Sequence, residues 1–293
     1  MIVFHRRFVA PALLLLTVAA SVYLQRSRIR ERLHLATIDE VRRRLVYRPR
    51  ASPELLRSGR VMIALITGQS NAGNYASASR PEEHRRVFEL FGDRVFEARN
   101  PLLGSDGVRS TPWIELGRKL IASGRYDSVA FALAVRGGTM VREWLPKGSM
   151  EALVFARISD LERLHLRPTL VLWQQGEWDA RYLATSEKLA YAQSLRSFLN
   201  SLRARGVRAP VFVATATRTA ANAPDVLIRE QQHLVVNPEA SVYPGPDTDL
   251  LGPEYRRDGT HFNEAGLRRV TELWYETLTG ATALLAHDIQ PAR

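Results

Sequence analysis

From residue 61 onward the chain alternates short apolar runs with amphipathic stretches. VMIALIT (61–67), SVAFALAV (128–135), TLVLWQ (169–174) and PVFVATA (210–216) are apolar at successive positions, not at every second one. That is the pattern of strands buried on both faces of a parallel sheet. Between them, WIELGRKLIAS (113–123), MEALVFARISDLERLHL (150–166), SEKLAYAQSLRSFLNSLRAR (186–205) and NEAGLRRVTELWYETLTGATALLA (263–286) predict helices. NPEASVYP (237–244) supplies a further strand, and no internal repeat is present. The alternation predicts an α/β fold, a three-layer α/β/α sandwich around a central parallel sheet of about five strands.

Open α/β sheets bind ligands beyond the carboxyl ends of their strands. The residues that follow each apolar run are therefore expected to converge. They are Gly68-Gln69-Ser70-Asn71, Arg136-Gly137-Gly138-Thr139 and Gln175-Gly176-Glu177, all polar and all containing glycine. Near the C-terminus, RRDGTHFNEAG places Asp258 three residues before His261. A serine hydroxyl becomes nucleophilic when a histidine, oriented by a carboxylate, takes its proton. Asp258 can orient His261 through Nδ1, leaving Nε2 to face Ser70, at a turn expected to open a helix whose dipole favours negative charge. N–H groups of Ser70 and Gly137 and the Gln175 amide can receive a tetrahedral intermediate.

Each piece has a plainer alternative. Ser70 can cap a helix, Asp258 and His261 can be a loop hydrogen-bond pair, and RGGT can be a simple turn. Glu177 can cap the next helix or act as a second acid. Trp178 and Trp144 can stack on a sugar or pack in the core, with packing favoured for Trp144. The other histidines (His5, His34, His84, His165, His233 and His287) lack such neighbours and read as structural or solvated.

Charge changes the picture at one end only. The chain of 293 residues carries a net charge of +11. Residues 1–60 hold 13 arginines and no lysine against 4 acids, so the rest is nearly neutral. The excess flanks an uncharged run from Phe8 to Gln25, about the length of a bilayer-spanning helix. Membrane-surface electrostatics account for it better than nucleic acid, for which no motif is present. Residues 1–25 are read as a membrane anchor or signal segment. The apolar run continues past the small-residue site at Val18-Ala19-Ala20, which favours an uncleaved anchor. Residues 26–59 are read as a basic juxtamembrane helix and linker, and 60–293 as the catalytic domain. The absence of cysteine excludes disulfides, thiolate metal sites and a cysteine nucleophile.

Taken together, Gly68-Gln69-Ser70-Asn71, Gly137-Gly138-Thr139 with Trp144, Trp173-Gln174-Gln175-Gly176-Glu177, and Asp258-x-x-His261 with Phe262 and Gly266 resemble the SGNH hydrolase superfamily. They look most like its sialate O-acetylesterase and acetylxylan esterase branch, over roughly residues 60–285. The resemblance implies a flavodoxin-like fold and no metal or cofactor. It implies Ser70 as nucleophile, His261 as base, Asp258 as orienting acid, and Ser70, Gly137 and Gln175 as oxyanion donors, with Gly138 competing for the second place. Asn71, Glu177 and Trp178 are expected to bind substrate, and the insert from about 75 to 110 is expected to form a pocket wall. The expected partner is an O-acetylated carbohydrate, hydrolysed through an acyl-enzyme at a bacterial cell envelope, either anchored to the inner membrane or periplasmic or secreted. Acetyl transfer between sugars and non-catalytic glycan binding are the alternatives. The intact Ser70, Asp258 and His261 set argues against the latter.

Overall fold

The computed structural model describes Leu45, residues 48–77 and residues 86–281. The expected anchor and most of the linker lie outside the described residues. Among the described residues no helix is long and apolar enough to cross a membrane. The chain divides into two compact units, Met1–Tyr47 and Arg48–Arg293, and the second carries the fold.

In chain order the strands are β1 (Arg50–Ala51), β2 (Val61–Gly68), β3 (Val87–Phe91), β4 (Arg94–Glu97), β5 (Ser128–Val135), β6 (Leu170–Gln174), β7 (Val211–Thr215) and β8 (Val242–Asp247). The helices are α1 (Trp113–Ala122), α2 (Ser149–Arg163), α3 (Glu177–Tyr182), α4 (Thr185–Leu189), α5 (Tyr191–Ala204), α6 (Val226–Val235) and α7 (Glu264–Gly280). They form one eight-stranded sheet in the order β1-β4-β3-β5-β2-β6-β7-β8. The run from β3 to β8 is parallel, and β4 is antiparallel to both β3 and β1. The sheet is therefore mixed and wider than the parallel sheet of about five strands that the apolar runs predict.

The added strands have a local cause. β3 and β4 form a hairpin inside the segment expected to be wholly pocket wall, and it extends one edge of the sheet. After it, the Gly104 carbonyl accepts the Val135 N–H and Asp106 accepts the Gly137 N–H, so this stretch meets the end of β5. The predicted helix 186–205 is two helices, which meet at Ala190.

Side-chain alternation builds the layers. Along β2, Ile63 and Leu65 face a core completed by Val154 and Ile158 of α2, Leu195 and Phe198 of α5, and Ile228 of α6. Met62, Ala64 and Ile66 face the opposite core, with Trp113 and Leu116 of α1 and Val270 and Trp274 of α7. Both faces of the central strands are buried, so nearly every position is apolar.

Candidate active site

β2 lies between β5 and β6, and its last residue, Gly68, pairs with Val135 on one side and Gln174 on the other. The three polar loops therefore leave the sheet from a single row. Gly68 has φ +132°, and a Cβ there would sit 2.1 Å from the Gln174 carbonyl oxygen. Only glycine lets the backbone turn away this close to β6. Gly176 has φ +150° and an equally tight seat 2.3 Å from the Ala216 carbonyl oxygen.

Directly beyond Gly68 the chain makes one 3₁₀ turn, Ser70–Ala72, and no α-helix follows in the described residues up to 77. The helix dipole expected behind Ser70 is absent, because a three-residue turn has too few aligned peptides to supply it. Ser70 is buried. Neither its N–H nor its hydroxyl forms a hydrogen bond among the described residues.

The second loop turns at Gly138, with φ +67°. The Gly137 N–H donates to the Asp106 carboxylate at 3.0 and 3.1 Å. The Gly138 N–H is unengaged among the described residues. Trp144 packs edge-on against Trp173 in the core, with ring centroids 5.1 Å apart.

In the third loop Gln175 is fully enclosed. Its amide nitrogen donates to the Thr139 carbonyl at 2.8 Å, to Gln69 Oε1 at 3.2 Å and to the Asp179 carboxylate. Burial raises the Asp179 carboxyl to about 7, against the Gln175 and Val141 N–H groups that lower it. Glu177 is also raised to about 7, chiefly by burial. Asn71 donates to Glu177 Oε1 at 2.8 Å and to the Thr260 carbonyl at 3.1 Å. Asn71 and Glu177 are both buried and address each other, so they brace the site from within. Trp178 is half-buried, and a Cβ at Gly138 would lie 3.8 Å from its ring.

The fourth loop brings the acid and base together. His261 Nδ1 faces Asp258 Oδ2 at 2.8 Å, and Asp258 Oδ1 accepts the His261 and Thr260 N–H groups at 2.8 and 3.1 Å. Partial burial alone would raise the Asp258 carboxyl. The His261 backbone and ring and the Thr260 N–H outweigh it and hold the group well below the usual carboxylate range. Arg256, buried, donates to the Thr260 carbonyl at 2.8 Å and fixes the loop from beneath. Asn71 shares that carbonyl, and the Ser77 N–H donates to the Phe262 carbonyl at 2.9 Å, so the Ser70 and His261 loops are tied together. No hydrogen bond joins Ser70 Oγ to the His261 ring. Such bonds often close only around substrate.

Sequence reasoning assigned no role to several neighbours. The Tyr75 ring stacks on His261 with centroids 5.1 Å apart and planes at 21°. Burial raises the Tyr75 hydroxyl, as do the charge of Asp106 and the hydrogen bond to it. Asp106 comes from a distant segment, whereas Tyr75 and Arg256 lie beside the Ser70 and Asp258 motifs without a residue type that marks a role there. Among the described residues no cluster of His, Asp and Glu is arranged to hold a metal ion.

The fold is an α/β sandwich whose polar loops gather at one row of strand ends. A family model described as carbohydrate esterase, sialic acid-specific acetylesterase, matches residues 60–278, and the chain belongs to that family of carboxylic ester hydrolases. A search of curated proteins returns no match. Among solved structures, a protein from Arabidopsis thaliana is 18% identical with TM-score 0.63, over 76% of this chain and 99% of that one. NanS is 15% identical with TM-score 0.55, over 77% and 98%. A carbohydrate acetylesterase from Xanthomonas citri is 17% identical with TM-score 0.51, over 73% and 55%. At these identities the likeness is one of fold.

Proposed function

We propose that this esterase removes O-acetyl groups from carbohydrate through an acyl-enzyme on Ser70. His261 takes the Ser70 proton as Oγ adds to the ester carbonyl, then returns it to the departing sugar oxygen. Asp258 holds the ring in the tautomer that leaves Nε2 free. The observation that carries this reading is the 2.8 Å pair of Asp258 and His261 on a loop bonded to the loop of Ser70. Trp178 and Tyr182, with ring centroids 4.4 Å apart beside Gly138, offer the sugar an apolar face. The basic, apolar N-terminus supports a place at the cell envelope. A C-terminal reporter active only in the cytoplasm would contradict that location.

The test is hydrolysis of an aryl acetate and of acetylated sugars by the full chain. Ser70→Ala and His261→Ala are expected to lower kcat by about 10³-fold or more. Undiminished activity in Ser70→Ala would exclude Ser70 as nucleophile.

A further inference from the structure

Asn71 and Glu177 each keep one enclosed acceptor without a donor. The Asn71 amide nitrogen donates to Glu177 Oε1 at 2.8 Å and to the Thr260 carbonyl at 3.1 Å. A backbone carbonyl can only accept, so Thr260 fixes which end of the amide is nitrogen. Both amide hydrogens are thereby used, and Asn71 Oδ1 is left to accept. It has no donor among the described residues, and neither has Glu177 Oε2. Each residue is 2% exposed. An acceptor enclosed without a donor is costly, and an ionised carboxylate brings no hydrogen to relieve either one.

One proton on Glu177 Oε2 relieves both. The acid O–H then donates to Asn71 Oδ1 while Oε1 still accepts from Asn71 Nδ2, which closes a cyclic acid–amide pair. The surroundings favour the neutral form. Burial raises the Glu177 carboxyl to about 7, and the charge of Asp249, beyond β8, adds to the rise. Asn71, the Glu177 N–H and Arg256, in the loop before α7, act against it. Arg256 is committed to the carbonyls of Thr248, Leu251 and Thr260, at 2.7, 3.2 and 2.8 Å, and so makes no direct bond to Glu177. Tyr191 of α5 also feels the Glu177 charge, and burial holds its hydroxyl protonated.

The pair sits where the two catalytic loops meet. Asn71 directly follows Ser70, and Thr260 directly precedes His261. Thr260 also gives its N–H to Asp258 at 3.1 Å, and its hydroxyl accepts the Ala220 N–H at 3.0 Å. We propose that Glu177 works as a neutral carboxylic acid donating from Oε2 to Asn71 Oδ1, and that this closed pair is the positioning device that keeps the Ser70 and His261 loops in register. The role rests on Ser70 and His261 being nucleophile and base. Glu177 acts only through Asn71. When its proton leaves, two acceptor oxygens oppose each other, and Asn71 turns away and releases the Thr260 carbonyl.

The experiment measures kcat and KM for an aryl acetate with the full chain, from about pH 6 to about pH 9. It compares the parent with Glu177→Gln and Glu177→Met, and Ser70→Ala is the control for the nucleophile. In the parent the proton leaves as pH rises through about 7. Its kcat is expected to fall about tenfold on the alkaline side, with KM little changed. Gln offers an N–H in place of the acid O–H at every pH, so Glu177→Gln is expected to abolish that fall. Met offers neither donor nor acceptor and is expected to lower kcat about tenfold throughout. An infrared difference spectrum of the parent against Glu177→Gln, taken at about pH 5.5, reads the group without turnover and is expected to show a protonated carboxyl band. An alkaline fall retained in Glu177→Gln, or an ionised carboxylate band at that pH, would overturn the assignment, whether or not the Met variant folds. Activity surviving in Ser70→Ala would instead remove the reading beneath it and leave the infrared result standing.

Discussion

Asn71 and Glu177, 106 positions apart in the chain, share a 2.8 Å hydrogen bond beneath the candidate nucleophile. The Glu177 carboxyl is raised to about 7 by burial, and its second oxygen is enclosed and unpaired. The unfolded chain loses this proton near 4.5. Between those values the folded state holds more protons, so stability falls as pH rises from about 4.5 to about 7 and is level above. Glu177→Gln removes the ionisation. It is expected to gain up to about 2–3 kcal/mol over the parent at pH 8 and little at pH 5. Urea unfolding at the two pH values measures this, and an equal effect at both would contradict it.

Tyr75 covers one face of the His261 ring and donates its hydroxyl to Asp106. The stack restrains the ring, whereas the hydroxyl acts one residue further away. Tyr75→Phe is expected to keep kcat within about threefold, and Tyr75→Ala to lower it about tenfold, the worth of one aromatic contact. Steady-state kinetics on an aryl acetate separate the two, and equal losses would show that the hydroxyl matters more than the ring.

β2, β5, β6 and β7 were legible because burial on both faces writes an unbroken apolar run. Their exits were legible because a backbone leaving the sheet this tightly needs glycine at 68 and 176. The β3–β4 hairpin was not, because Glu89 interrupts its apolar pattern and is neutralised by Arg48, 41 positions upstream. α3 was hidden by Glu177 and Asp179, polar residues that are buried. Their burial follows from Asn71 and Gln175, which no local window contains. The break before α5 carries no Gly or Pro. There, the buried Tyr191 hydroxyl donates to the Gln175 carbonyl at 2.9 Å, a tertiary tie that propensity cannot register. The site shows the same division: Ser70, Asp258 and His261 stand in motifs, whereas the use of each N–H group depends on neighbours such as Asp106.

Arg48 binds Glu89 and donates to the Arg99 carbonyl at 2.9 Å, while Glu89 also accepts the Leu103 N–H at 2.8 Å. Leu102 in turn exchanges hydrogen bonds of 2.7 and 2.8 Å with Asn74, in the loop that follows Ser70. Arg48→Met leaves Glu89 without its buried counter-charge. Breaking such a pair costs about 3–5 kcal/mol. Burial raises Glu89 to about 7 even beside Arg48, so protonation relieves the loss in acid. The destabilisation is therefore expected to be larger at pH 8 than at pH 5. Urea midpoints at both values test it, and a chain begun at residue 60 is expected to show the same defect. Unchanged stability at pH 8 would show that Arg48 does not hold this wall.

Asp258 does two jobs with two oxygens. Oδ1 accepts the Thr260 and His261 N–H groups and shapes the loop, whereas Oδ2 faces His261 Nδ1 and Arg257, each at 2.8 Å. Asp258→Asn can keep the first and lose the second. An amide nitrogen beside Nδ1 favours the wrong tautomer, so kcat is expected to fall about 10²–10⁴-fold with an intact fold and little change in KM. Arg257 competes for the same oxygen, but the Asp258 side chain is 42% exposed and solvent screens the pair. Arg257→Ala is therefore expected to stay within about threefold of the parent. Steady-state kinetics with a melting curve on each variant decide the matter. A folded Asp258→Asn protein with full kcat would show that the acid builds the loop and leaves the histidine unaided.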